Sequence, residues 1–149
     1  MRDVDVTGKV YLVTGCTTGL GYCSSVMLAK KGATVVITCR SQEKVDDTIK
    51  RIQEESGSKK LLGLVMDQMD LTQVRDAAKM FLSWDMPLHG ALLNAGLFGS
   101  NYHTSVQGHE ATFAVNHLSH YLLITLLTDK LIATATGERV ETYQIMCFI

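Results

Sequence analysis

A strand-length apolar run, VYLVT, leads directly into GCTTGLG, so residues 10–21 must pass through a sharp bend from a strand into the start of a helix. Glycine tolerates the left-handed backbone that such a bend needs, and it lets another group come close to the main chain. A helix that opens there presents unpaired N–H groups and the positive end of its dipole, a setting suited to a phosphate or pyrophosphate. The glycines divide the work: Gly15 makes the turn, Gly19 leaves room for a phosphate, and Gly21 lets helix and strand pack closely, with Thr14 and Leu20 among the flanking residues. Without a ligand the same segment is simply a tight strand–helix connection. Its place on the first strand of a βαβ series favours a nucleotide.

That series continues along the chain. Apolar runs predict strands near 10–14, 34–39, 61–66 and 90–93, with a weaker fifth near 140–148, and amphipathic segments predict helices near 19–31, 42–56, 71–83 and 110–135. Gly32 is a stop signal for the first helix, Ser41 can cap the second, and Gly57 can end it. The alternation implies an α/β fold of the Rossmann type, a doubly wound parallel sheet of about five strands, with residues 1–149 forming a single dinucleotide-binding domain. Its last helix is unusual. From Glu110 to Ala135 apolar residues wrap most of the circumference, so one face is expected on the sheet and the other against a further helix or subunit, giving a homo- or hetero-oligomer.

Bulk properties narrow the function classes. A length of 149 residues suffices for one cored domain, and a net charge of −1 without a basic cluster argues against nucleic acid as a partner. The four cysteines, Cys16, Cys23, Cys39 and Cys147, lack CxxC spacing and suit a reducing compartment. The segment MRDVDVTGKV does not read as an apolar leader, and the apolar runs fall far short of the roughly 18 residues of a membrane span. The expected location is cytoplasmic.

Further candidates sit where predicted strands end. Arg40 and Ser41 follow the second strand without an acidic residue, which would favour a 2′-phosphate over a free ribose hydroxyl and hence NADP(H) over NAD(H). Equally, Arg40 can be a solvated charge and Ser41 a helix cap. Asp70, followed by Leu71, can accept from the amine of an adenine, with Asp67 as the alternate; Asp70 and Gln73 also fit an N-cap with its capping-box partner. Asn94, Ala95 and Gly96 form a small-residue turn after the fourth strand, where Asn94 can tie strands together and line the cofactor pocket. Asn116 interrupts the apolar helix, and taken alone it reads as solvent-facing. His117 and His120 have no third ligand nearby, so they read as structural and no metal site is expected.

In this order and spacing TGCTTGLG, Asp70–Leu71, LNAG and VNHLSHYLL resemble the short-chain dehydrogenase/reductase family over nearly the whole chain. VTGKV, CRS, PLH and FAVNHLSHY are similar to its retinol dehydrogenase and WW-domain oxidoreductase group. The resemblance implies a nicotinamide dinucleotide held at Gly15, Gly19 and Gly21, adenine at Asp70, a sheet-supporting turn at Asn94, and at Asn116 the asparagine that helps hold a water in a proton relay. It also implies a catalytic serine and a Tyr-x-x-x-Lys pair, and here the pattern departs: no tyrosine is followed four positions later by lysine, and Tyr143 meets Cys147 instead. The resemblance therefore describes an incomplete sheet, without the family's C-terminal catalytic and substrate portion. The expectation is the NADP(H)-binding portion of an oxidoreductase that exchanges hydride between nicotinamide and an alcohol or carbonyl. The alternative is a non-catalytic pseudoenzyme or a decoy partner of a longer relative.

Overall fold

A computed structural model describes residues 5–99 and 101–135, together with the backbone of 141–144. Five strands, β1 (Val10–Thr14), β2 (Thr34–Cys39), β3 (Leu61–Val65), β4 (Gly90–Leu93) and β5 (Glu141–Gln144), form one sheet in the order β3-β2-β1-β4-β5. Every neighbouring pair is parallel. The helices are α1 (Gly19–Lys30), α2 (Gln42–Ser56), α3 (Leu71–Ser83), the short α4 (Ala111–Phe113) and α5 (Ser119–Thr134), and a π-helical turn, Ala114–Leu118, joins the last two.

The apolar continuity of β1 follows from its central position. Leu12 packs into a cluster with Val74, Phe81, Leu123 and Leu127 from α3 and α5, while the adjacent Val13 points to Val26, Val45 and Ile52 of α1 and α2. With helices on both faces, successive side chains are both buried, so the strand cannot show polar alternation. At α2 the amphipathic pattern is clear, with Val45, Thr48 and Ile52 turned inward; Ser41 Oγ accepts from the Lys44 N–H at 3.3 Å to begin it, and Gly57, at φ 72°, ends it.

The helix anticipated over 110–135 runs unbroken from Ala111 to Thr134 and carries one π-helical turn, where Ser119 N–H donates to the Ala114 carbonyl five residues back. Its start and its burial need revision. Glu110 is its cap rather than its first turn: its carboxylate accepts from the N–H groups of Thr112 and Phe113, each at 2.8 Å, and these bonds hold its pKa below the usual carboxylate value. Nor is the helix buried all round. Leu123, Leu127 and Leu131 are buried, but Tyr121 is 64% and Ile132 65% exposed. The fifth strand occupies 141–144 of the 140–148 anticipated, and the remainder lies outside the described residues.

Gly21 lies where α1 crosses the end of β1. A Cβ there would run into the Gly15 carbonyl and the Asn94 carboxamide. Alanine is the better helix former by about 1 kcal/mol, yet Gly21→Ala is expected to destabilise the protein by about 1–3 kcal/mol, because backbone would have to move. Urea unfolding measures this, and an unchanged or higher midpoint would refute the tight crossing.

Candidate functional site

The sheet order reverses at β1, with β2 on one side and β4 on the other, so the loops leaving β1 and β4 diverge and leave a crevice at the carboxyl ends of the strands. The crevice has a volume of about 630 Å3. Its walls come from Gly15 and residues 17–20 after β1, from residues 38–40 at the end of β2, from Lys44 in the first turn of α2, from 66–69 after β3, from 94–97 after β4, and from Val115.

The Thr14 hydroxyl organises the floor. It accepts from the Asn94 N–H at 2.9 Å and the Ala95 N–H at 3.0 Å, and lies 2.9 Å from His120 Nε2. Two accepted bonds occupy the oxygen's lone pairs, so its proton goes to Nε2. The His120 proton therefore sits on Nδ1, which faces the Asn116 carbonyl at 3.3 Å. His120 is only 1% exposed, and burial, the largest cause, takes its pKa down from 6.5 to about 4. It is neutral at pH 7. Asn94 completes the junction by donating Nδ2 to the carbonyls of Thr14 at 3.0 Å and Gly15 at 3.1 Å, tying the end of β4 to the turn after β1.

That turn is pressed against the end of β4. Gly15 has φ 68°, and a Cβ on it would come within 2.7 Å of Ala95 Cα. Thr18, the residue before α1, is extended, and no side chain caps the helix. A Cβ added at Gly19 would meet nothing within 4 Å, so the mouth of the turn is open. The helix N-terminus thus faces the crevice with the sign and the space that an anion requires.

Several sequence candidates are placed differently from the reading above. Gly15, Gly19, Leu20, Arg40, Asn94, Ala95 and Gly96 line the crevice; Thr14 and Gly21 lie beneath it, and Ser41 is engaged in capping. Asp70 and Leu71 are outside the lining, whereas Asp67 is within it. Asp70 Oδ1 accepts from Gln107 Nε2 and the Thr72 N–H, both at 2.9 Å, and these bonds lower its pKa. The capping box is altered too, since Gln73 Oε1 accepts from the Asp67 N–H at 3.1 Å, while the Asp70 N–H goes to the Asp67 carbonyl at 3.0 Å. Asn116 does not face solvent: its Oδ1 accepts from the Leu97 N–H at 2.8 Å and its Nδ2 donates to the Leu97 carbonyl at 3.0 Å.

Residues missed by sequence reasoning include Lys44, Gln68 and Leu97. Lys44 could have been found, because it falls in the first turn of α2, just after Arg40 and Ser41. Gln68 could not, since it is defined by distant partners: its Nε2 donates to Ser119 Oγ at 2.7 Å and to the Val115 carbonyl at 3.2 Å, beside the π turn. The described cysteines Cys16, Cys23 and Cys39 are free. Burial pushes the Cys16 thiol up to about 12, which makes it inert packing material. Among the described residues no group of acidic, histidine and cysteine side chains could hold a metal, and no helix is long and apolar enough to cross a membrane.

Residues 9–145 match the short chain dehydrogenase family. The chain belongs to the short-chain dehydrogenase/reductase family. Among similar proteins, the WW domain-containing oxidoreductase of Gallus gallus is 39% identical over 88% of this chain and 32% of its own length. Retinol dehydrogenase 11 of Homo sapiens is 39% identical over 93% of this chain and 43% of its own. The chain thus spans less than half the length of these short-chain dehydrogenase/reductase relatives. The solved Pseudomonas aeruginosa RhlG/NADP active-site complex aligns at a TM-score of 0.75 and 25% identity, over 89% of this chain and 52% of that one. For 3-ketoacyl-(acyl-carrier-protein) reductase of Brucella melitensis, solved with NADH, the TM-score is 0.73 at 24% identity, over 92% and 56%, a likeness of fold.

The neutral state of His120 gives the fold an acid limit. Its folded-state pKa, about 4, lies below the unfolded value of 6.5, so the unfolded chain binds the extra proton first. Stability from this residue is complete above pH 6.5 and is lost as pH falls towards 4, on the order of 3 kcal/mol in all. His120→Gln is expected to flatten that part of the stability–pH curve in thermal melts. An equally steep variant would remove His120 from the account.

Proposed function

We propose that the crevice binds a nicotinamide dinucleotide, with NADP(H) preferred over NAD(H), and that the chain is the cofactor-holding portion of an oxidoreductase acting on an alcohol or carbonyl. The observation that carries this reading is the uncapped start of α1 opening onto a switch-point crevice of about 630 Å3. Family membership and the NADP complex of a similar fold support it.

In this reading the turn at Gly15, Gly19 and Leu20 receives the pyrophosphate on backbone N–H groups. Arg40 and Lys44, both in the crevice wall, take the 2′-phosphate. Asp67 replaces Asp70 as acceptor for the adenine amine, and residues 94–96 line the route to the nicotinamide end. Asn116 holds Leu97 in place beside that route. The dinucleotide, when bound, supplies the hydride-transferring ring. The chain's own residues orient it, and the 149-residue chain, which has no Tyr-x-x-x-Lys, is expected to bind without turning over alcohols. The exposed aromatic stack Phe113, His117 and Tyr121 supports a second contact, in which this face of the α4–α5 segment meets another copy or a longer relative.

NADPH is expected to raise the melting temperature and to gain nicotinamide fluorescence on titration. Arg40→Asp should weaken NADPH about tenfold relative to NADH, the loss of one charge-assisted contact; unchanged selectivity would defeat the 2′-phosphate assignment. Asp67→Asn should weaken both cofactors while Asp70→Asn should lower only the melting temperature. The reverse pattern would return the adenine contact to Asp70.

A further inference from the structure

We propose that Arg51, on α2 and outside the crevice wall, is a positioning residue that aims the Thr17–Thr18 peptide of the anion-binding turn; the inference rests on the dinucleotide reading above. Arg51 Nη1 donates to the Thr17 carbonyl at 3.1 Å, across 34 residues of sequence. Thr17 and Thr18 both line the crevice. A trans peptide points its C=O and N–H in opposite directions, so a carbonyl drawn towards α2 turns the Thr18 N–H away from α2. Without that anchor the peptide between two threonines, in a turn rich in glycine, has neighbouring rotations open to it.

The guanidinium is itself held in place. Its carbon lies 4.6 Å from the centroid of the Tyr22 ring, and Nη1 is 3.7 Å from Asp47 Oδ2. The Tyr22 hydroxyl donates to Glu55 Oε2 at 2.9 Å. Asp47, Arg51 and Glu55 follow one another at single-turn spacing, so one stripe of α2 grips Tyr22 in the opening turns of α1 and the carbonyl just before that helix. Lysine could not fill this role in the same way, because its ammonium lacks the flat face that rests on the ring while an edge donates. The sequence signal, an arginine on a polar helix, is indistinguishable from a solvated charge; only the fold brings it to Thr17.

Aiming a peptide at a phosphate differs from fastening two helices together, and ligands of different reach separate the two. Calorimetric and ligand-observed NMR titrations of the full chain with adenosine, ADP and NADPH test it, with melting temperatures recorded alongside. Arg51→Gln is expected to weaken ADP and NADPH about tenfold, the loss expected when one donor of the phosphate cradle is misdirected, and to leave adenosine unchanged. The loss should persist in about 0.5 M salt, where attraction by a distant charge is screened. Tyr22→Leu, which keeps the charge and removes its resting face, should show the same ADP-selective loss, and it decides the matter if Arg51→Gln melts below the assay temperature. ADP affinity within twofold of wild type, a parallel loss for adenosine, or a loss that vanishes in salt would each overturn the role of Arg51 and leave the dinucleotide reading standing. Failure of the unaltered chain to bind ADP and NADPH would overturn both.

Discussion

The hydroxyl of Thr14 is the contact through which the rest of the site is built. It ends β1, receives the first two N–H groups after β4, and gives its proton to His120 on α5. Three segments far apart in sequence thereby meet at one atom, whose donor and acceptor capacity is fully used. A buried polar centre of this kind holds its geometry because any slippage leaves an unpaired group in a low-dielectric interior. Valine is close in shape and would satisfy none of the three partners.

From that centre the crevice follows by extension. Asn94 is fixed by donating its N–H to the Thr14 hydroxyl, and its carboxamide then holds the carbonyls of Thr14 and Gly15, which ties down the bend after β1. Gly21 lets α1 lie directly on that bend, and the helix N-terminus is carried to the mouth of the crevice. On the far side His120 and Asn116 belong to a helix that is locally widened to five-residue hydrogen bonding. The widening leaves the Val115 carbonyl to Gln68 and Ser119 and directs Asn116 to Leu97. A π turn of this type often marks a functional position, and here it lies against the crevice wall through Val115.

Much of the fold was legible because its signals are local. Strands β1, β2 and β4 and helices α2 and α3 coincide with the segments expected from apolar runs, caps and glycines. The roles of Gly15 and Gly21 were also legible, since a left-handed bend and a helix crossing each exclude a Cβ for reasons contained in a few residues. The partners of the acidic residues were not. Asp70 carries a capping signature and does cap α3, but it also accepts from the distant Gln107, while Asp67 stands in the crevice wall. The partners of Asn116 and His120 escaped because a polar residue on a helix is read by its neighbours at one-turn spacing, whereas these side chains meet Leu97 and Thr14.

By itself, the sequence determined the alternation of strand and helix, the glycine bend, the membership in an oxidoreductase family that its motifs resemble, and the lack of a Tyr-x-x-x-Lys pair within these 149 residues. These properties depend on periodicity, backbone freedom and residue identity, which are fixed along the chain. The tertiary structure alone decided which carboxylate reaches the crevice, which proton His120 carries, where the last helix widens, and that Arg51 holds Thr17. Apart from the widening, whose own bond spans five residues, these depend on a donor and an acceptor separated by tens of residues, and such a pair exists only once the sheet has brought them within about 3 Å.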